Sequence, residues 1–194
     1  MAAAVVCGVC LATARAAGRD DWQQPARVVA DLGLKDGSRV ADIGSGRGYF
    51  TFRLARAVGE KGKVLATDIK ADALKSVANR AKKEKLPNIE TVLSKPTDTK
   101  LAPDSVDAAI ICNVLHHVPK AQRPALTKSI ARAIRPGGYF FIVDWRVDAK
   151  IKHDLNRRIP RKDLLQLATD AGLKLDAEFY YLEHQVFLRF RRPK

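Results

Sequence analysis

Residues 39–51 read Arg-Val-Ala-Asp-Ile-Gly-Ser-Gly-Arg-Gly-Tyr-Phe-Thr. A short apolar run, Val40, Ala41 and Ile43, ends in three glycines at alternate positions, Gly44, Gly46 and Gly48. A helical pattern begins at once, with Phe50, Phe52, Leu54 and Val58 set among Arg53 and Arg56. Strand, tight turn and helix follow one another, the geometry in which a helix N-terminus faces a ligand. Alternate glycines imply a sharp bend and a backbone approached closely by something, with no Cβ in the way. A nucleoside-bearing ligand is expected there; the alternative is a tight strand-to-helix turn that binds nothing.

The spacing separates the candidate ligands. A dinucleotide fold uses G-x-G-x-x-G with the pyrophosphate on the helix N-terminus, whereas this chain has G-x-G-x-G and an acid, Asp42, two residues before the first glycine. A carboxylate there repels a pyrophosphate and suits a ligand with an ammonium and a sulfonium. S-adenosylmethionine carries both. The stretch resembles the first motif of the Rossmann-like (class I) S-adenosylmethionine-dependent methyltransferases, which Asp42, Gly44, Gly46 and Gly48 match position by position. The resemblance implies that Ser45 and Tyr49 of the same loop also hold the cofactor, and that Arg47 lies where positive charge reaches an acidic acceptor.

Residues 63–69, Lys-Val-Leu-Ala-Thr-Asp-Ile, read as a buried parallel strand ending in an acid, one βαβ unit after the glycines. Asp68 can there accept both ribose hydroxyls, with Ile69 beside it; otherwise it caps a helix that starts near Ala71. A third strand is expected at Ile89–Leu93. Relatives follow it with Gly-Asp-Ala, whose acid meets the adenine amine, but this chain has Ser94-Lys95-Pro96-Thr97-Asp98. Lys95 cannot accept a hydrogen bond, so either Asp98 or backbone groups alone read the adenine.

A fourth strand, Val106 to Cys112, runs into Asn113-Val-Leu-His116-His117. In the family resembled, this strand ends beside the transferred methyl group, which implies a cofactor contact for Asn113. The tetrapeptide Asn-Pro-Pro-Tyr of enzymes that methylate nucleobase amines is missing, and Cys112 has no neighbouring proline, so it reads as a small buried hydrophobe. Arg135-Pro136-Gly137-Gly138 reads as a helix stop and turn before a fifth strand, Tyr139 to Trp145, which carries Asp144. The ends of strands 4 and 5 thus nominate His117, His116 and Asp144 as catalytic groups. An imidazole, with an ordinary pKa of about 6.5, can take a proton at neutral pH, and His117 is the candidate base. The alternative for either histidine is a helix cap packed inward. Arg157 and Arg158 are expected to add charge near an acidic acceptor.

Pro160 opens a last helix, Gly172 closes it, and the runs Leu173–Leu182 and Gln185–Phe190 suggest an antiparallel final pair. The resemblance covers about residues 20–194. It includes Asp21-Trp22-Gln23-Gln24-Pro25, which looks like a subgroup of small bacterial methyltransferase-domain proteins.

The chain has 194 residues, 46% of them hydrophobic, which suits one domain with a sizeable core and excludes disorder over most of its length. Thirty-five Lys and Arg against 21 Asp and Glu give a net charge of +14, which favours acidic partners: small anions, nucleic acid or an anionic membrane surface. Aromatic residues make up only 7% and do not interleave with the basic runs, as a base-stacking platform requires. The four histidines lack ligand-type companions at helical spacing, so no metal is expected. Residues 1–18 are apolar and contain Ala14-Arg15-Ala16, an A-x-A pattern, but lack a basic n-region. They read as an export signal or an anchor, while cofactor supply favours a cytoplasmic or membrane-associated protein. Cys7 and Cys10 have no strand–helix context for redox chemistry.

These readings converge on an α/β three-layer sandwich over residues 19–194, with a mainly parallel seven-stranded Rossmann-like sheet and an antiparallel last strand. The expected activity moves a methyl group from S-adenosylmethionine to a small, acidic acceptor. The rivals are a scaffold that binds the cofactor with little turnover, methylation of nucleic acid or anionic lipid, and, against the glycine spacing and Asp42, an NAD-dependent oxidoreductase.

Overall fold

Strand by strand, odd and even residues face different helices. The computed structural model describes residues 18–150 and 155–194. The expected N-terminal signal or anchor lies outside them, apart from Gly18. Two short helices, α1 (Arg19–Gln23) and α2 (Pro25–Asp31), precede β1 (Arg39–Ile43), α3 (Thr51–Ala57), β2 (Lys63–Asp68), α4 (Ala71–Lys83), β3 (Ile89–Leu93) and β4 (Val106–Cys112). Then come α5 (Arg123–Ala133), β5 (Ile134–Trp145), α6 (Arg161–Asp170), β6 (Lys174–Phe179) and β7 (Gln185–Arg191). The strands form one seven-stranded sheet in the order β3-β2-β1-β4-β5-β7-β6, with β7 antiparallel to both its neighbours and the other pairings parallel.

Side chains alternate across a strand, and here the alternation builds two cores. Ala41, Ile43, Ala109, Ile111, Phe140, Ile142, Leu188 and Phe190 pack with Ile130 of α5 and Leu164 of α6. The intervening Val40, Ala108, Ile110, Phe141, Val143 and Phe187 pack on the other face with Val28 of α2 and Leu54 of α3. A sheet covered on both faces requires strands apolar at every position, which is why β1 and β4 read as continuous apolar runs.

One boundary differs from the sequence reading. The turn expected at Arg135–Gly138 belongs to β5, which starts at Ile134. Ile134 pairs with Val106 and Tyr139 with Ala108, so the extra residues are absorbed as an irregularity within the strand. Gly138 is pressed against β4 there, where a Cβ would lie 2.5 Å from the carbonyl oxygen of Asp107.

The chain winds from β1 outward to β2 and β3, then crosses back to β4 on the other side of β1. In open α/β sheets such a reversal leaves a crevice at the carboxyl ends of the two central strands. Asp42 pairs with Ile110 and Ile43 with Ile111, so the glycine loop and the segment after Cys112 leave the sheet side by side.

Candidate active site

The glycine loop owes its shape to φ values of +69° at Gly44, +54° at Gly46 and +84° at Gly48, a region costly for any residue with a Cβ. The three glycines do different work. A Cβ at Gly44 would lie 2.6 Å from Val114, and one at Gly48 would lie 2.5 Å from the Phe52 ring, so both positions are closed by packing. A Cβ at Gly46 would meet nothing within 4 Å; it would project into open space.

The loop's amides are turned inward. Ser45 N–H donates to Thr67 O at 2.9 Å, Gly46 N–H to the Asp68 carboxylate at 2.8 Å and Gly48 N–H to Ser45 O at 2.9 Å. A loop that cradles phosphate needs such amides for its ligand. This one spends them on the fold and offers the open face of Gly46, an arrangement that suits a ligand without phosphate.

Two cavities meet at this loop. One, about 650 Å³, is lined by Asp68, Ile69, Ser94, Lys95, Pro96 and Gln122 among others. The second, about 720 Å³, is lined by Arg19, Trp22, Asp42, Ser45, Arg47, Tyr49, Phe50, Arg80, Cys112 and Trp145. Gly44, Gly46, Asn113 and Val114 belong to both linings and form the seam between them. Each volume alone is of the size that holds a small molecule.

Asp42, 4% exposed, accepts the Thr51 hydroxyl at 2.6 Å. Burial lifts its pKa to about 6, against the lowering effect of that hydroxyl. Asp68 splits its carboxylate between Gly46 N–H and Lys70 N–H, the latter at 2.9 Å. It therefore ties the end of β2 to the glycine loop while lining the first cavity. Ile69 is 55% exposed on that lining, an apolar side chain left open to a ligand. The Ser45 hydroxyl is buried with no hydrogen-bond partner among the described residues. Tyr49 donates its hydroxyl to Asp20 at 2.6 Å, and the guanidinium of Arg19 lies 3.5 Å from its ring centroid. Burial, then the bond to Asp20, raise the Tyr49 pKa, and burial pushes the Cys112 thiol up.

Asn113 has a φ of +57° and closes a ring of three carboxamides. Gln23 Nε2 donates to Gln185 Oε1 at 2.6 Å, Gln185 donates to Asn113, and Asn113 Nδ2 donates to Gln23 Oε1 at 3.1 Å. The ring joins α1, β7 and the end of β4.

Several expected residues sit elsewhere. Asp98 is absent from both linings; it bonds Lys100 N–H at 2.9 Å and Ser129 Oγ at 3.1 Å. The backbone and side chain of Lys100 hold its pKa down at about 2. This carboxylate fastens the loop to α5, and Lys95 and Gln122 face the first cavity instead. His116 and Asp144, 2% and 1% exposed, bond each other through His116 Nδ1 and Asp144 Oδ1 at 2.5 Å, and neither lines either cavity. Asp144 also accepts the backbone N–H of His116 at 3.2 Å and of Trp145 at 2.8 Å, so the pair joins β5 to the segment after β4. His117 is exposed; it lines the first cavity and a separate basic one of about 500 Å³ with Lys120, Arg123, Arg157 and Arg158. Its Nδ1 lies 3.3 Å from Arg157 Nη1. None of the three expected catalytic groups, nor Arg157 or Arg158, lines the larger cavity.

Sequence reasoning missed Thr51, Gln122, Arg19, Arg80 and both tryptophans as lining or supporting groups. Trp22 had a signal, because the stretch from Asp21 to Pro25 carries unusual polar and aromatic residues ahead of a helix. The others had none at the level of local pattern.

A family model described as a methyltransferase domain matches residues 40–138, just over half of the chain. The chain belongs to the class I S-adenosylmethionine-dependent methyltransferases. It is 27% identical over 133 residues to a ubiquinone/menaquinone biosynthesis C-methyltransferase of Shewanella piezotolerans, covering 68% of this chain and 51% of that protein. It is 30% identical over 126 residues to an arsenite methyltransferase of Halobacterium salinarum, covering 59% of this chain and 32% of that protein. The chain thus matches about half of the length of the first of these curated relatives and about a third of the second. A crystal structure of a methyltransferase from Aquifex aeolicus shares the fold with a TM-score of 0.82 at 23% identity, over 90% of this chain and 92% of that one. The matched segment holds Asp42, the three glycines, Asp68 and Asn113, and excludes Arg19, Trp22, Trp145 and Gln185.

Proposed function

We propose that this chain transfers the methyl group of S-adenosylmethionine to a small anionic acceptor. The observation that carries the reading is the pair of cavities meeting along Gly44, Gly46, Asn113 and Val114. The smaller cavity takes the nucleoside. Asp68 accepts from the ribose with the lone pairs left by its two backbone bonds, Ile69 covers the base, and Gln122 supplies the amide that Lys95 cannot. The larger cavity takes the amino-acid end of the donor together with the acceptor. Ionised Asp42 complements the cationic end of the donor, and the unpartnered Ser45 hydroxyl supplies a further polar contact.

S-adenosylmethionine, when bound, would supply a methyl carbon activated by its sulfonium to a lone pair of the acceptor, its sulfur keeping the electron pair of the carbon–sulfur bond. The protein's part is to position and to exclude water. Asn113, fixed by its carboxamide ring, shapes the seam. Asp42 is held by Thr51 and engaged by cationic charge, and the raised Cys112 thiol keeps its proton. Among the described residues the larger cavity therefore offers no free base, and it suits an acceptor whose nucleophilic atom has a lone pair ready. His116 and Asp144 act as positioning residues that hold the segment after β4, and His117 borders the nucleoside.

Calorimetric titration with S-adenosylhomocysteine and with NADH tests the cofactor, and mass spectrometry of acceptor pools incubated with methyl-labelled donor tests the transfer. Binding of the first ligand alone and a labelled product support the reading. Binding of NADH overturns it, and donor binding with no labelled product from any acidic pool leaves the scaffold reading in its place.

A further inference from the structure

The chain contains only two tryptophans, and both line the larger cavity. Trp22 comes from α1 and Trp145 from the end of β5. Their ring centroids lie 5.1 Å apart at an interplanar angle of 37°, and Trp145 is only 3% exposed. Tyr49 and Phe50, edge to face with centroids 5.1 Å apart, stand in the same lining. Flat aromatic walls gain most from a ligand that is itself flat, through offset or edge contacts beyond the area they bury.

The charge in this lining is one-sided. Among the described residues three guanidinium groups, Arg19, Arg47 and Arg80, share it with a single carboxylate, Asp42, which lies at the end of β1 under the glycine loop. Arg80 engages Glu84 through Nε at 2.6 Å. Arg19 and Arg47 have no carboxylate within ion-pair distance among the described residues, although Arg53, Arg56, Arg161, Arg189 and Arg192 all do. Arg19 rests on the Tyr49 ring and so carries its charge on an aromatic face. A planar fork of donors matches a carboxylate in two-point contact.

We propose that the acceptor is an aromatic acid, a planar ring with a carboxylate, whose ring lies against Trp22 and Trp145 and whose carboxylate meets Arg19 and Arg47. This deepens the methyl-transfer reading and rests on it. The net charge draws such an anion in, the arginines orient it, and the tryptophans select the ring over an aliphatic chain of similar size.

Because both tryptophans are in the cavity, their fluorescence reports on it without a label. The protein saturated with S-adenosylhomocysteine is titrated with benzoate and cinnamate, and with two controls, cyclohexanecarboxylate and benzamide. Quenching by the aromatic acids at concentrations at least tenfold below either control is the expected result. Arg19→Gln and Arg47→Gln, at exposed positions, each weaken benzoate at least fivefold, and Trp22→Leu removes the preference for benzoate over cyclohexanecarboxylate. Equal binding of the aliphatic acid or of the neutral amide overturns the proposal, as does unchanged benzoate affinity in both arginine variants. Calorimetry with S-adenosylhomocysteine on the wild-type protein separates the two levels. Failure of that titration removes the methyl-transfer reading, whereas its success with no aromatic preference removes only the aromatic acid.

Discussion

The hydroxyl of Thr51, on the first residue of α3, donates to the buried carboxylate of Asp42 at the end of β1, 2.6 Å away. The bond moderates but does not cancel the burial that lifts Asp42 to about pKa 6. A carboxylate whose pKa is raised on folding favours the folded state when protonated. Its contribution is therefore full below about pH 4 and is lost as pH rises through about 6. The shift of about two units corresponds to roughly 3 kcal/mol. Asp42→Asn is expected to raise the melting temperature of the ligand-free protein at pH 7.5 and to weaken S-adenosylhomocysteine at least tenfold. Wild-type affinity for the same ligand is expected to fall as pH drops below 6, opposite in sign to the stability change. Paired thermal melts and calorimetry from pH 5 to pH 8 check both halves.

Both oxygens of Asp68 are bonded to backbone N–H groups, of Gly46 and Lys70. Asp68→Ala orphans the N–H groups of Gly46 and Lys70 and removes the proposed ribose acceptor. A loss of about 1–3 kcal/mol in cofactor affinity is expected, with a smaller loss of stability because water reaches the freed amides. Calorimetry and denaturant melts on this variant separate the two costs.

The glycines allow a sharper contrast. Gly46→Ala places a methyl group in open space at a φ of +54°, so the fold loses only the strain of a left-handed residue, about 1–2 kcal/mol, while the cavity seam is obstructed. Gly48→Ala drives a methyl group to 2.5 Å from Phe52 and acts on the core. The first variant is expected to melt a few degrees below the wild type and bind the cofactor at least tenfold more weakly; the second is expected to melt well below the first.

The adjacent histidines are expected to part company. His116→Ala leaves the buried Asp144 carboxylate without its 2.5 Å partner and destabilises the protein by about 3 kcal/mol or more. His117→Ala, at an exposed position, leaves the melting temperature nearly unchanged and weakens the cofactor without a change in the pH profile of turnover. A pH profile that loses its acidic limb in that variant would instead make His117 a base.

How much of this was legible follows from how far apart the partners are. Gly44, Gly46 and Gly48 announce their positive φ directly, since few other residues accept it, and Asp42 and Asp68 stand at the ends of apolar runs that can only be buried strands. The carboxamide ring was not legible, because Gln23, Asn113 and Gln185 come from three distant parts of the chain. The different surroundings of the two histidines were not legible for another reason. Leu115–His117 is a single 3₁₀ turn, in which successive side chains point about 120° apart, so one imidazole turns into the core and the other out to solvent. Among many arginines, sequence singled out Arg157 and Arg158, which line the basic cavity beside His117, while packing brings Arg19 and Arg80 to the larger cavity with Arg47. Arg80 is one turn before the end of α4, where nothing local distinguishes it from Lys82 or Lys83.

The carboxamide ring also sets an order of assembly. Residues 43–119 supply most of the lining of the cavity beside Asp68 and its glycine seam. The ring closes only when Gln23 meets a side chain 162 positions later in the chain. Contacts across such a separation form late, after shorter loops have closed. The glycine loop is thus built from contacts near in sequence, whereas the link between α1, β7 and the end of β4 waits until the last strand has docked.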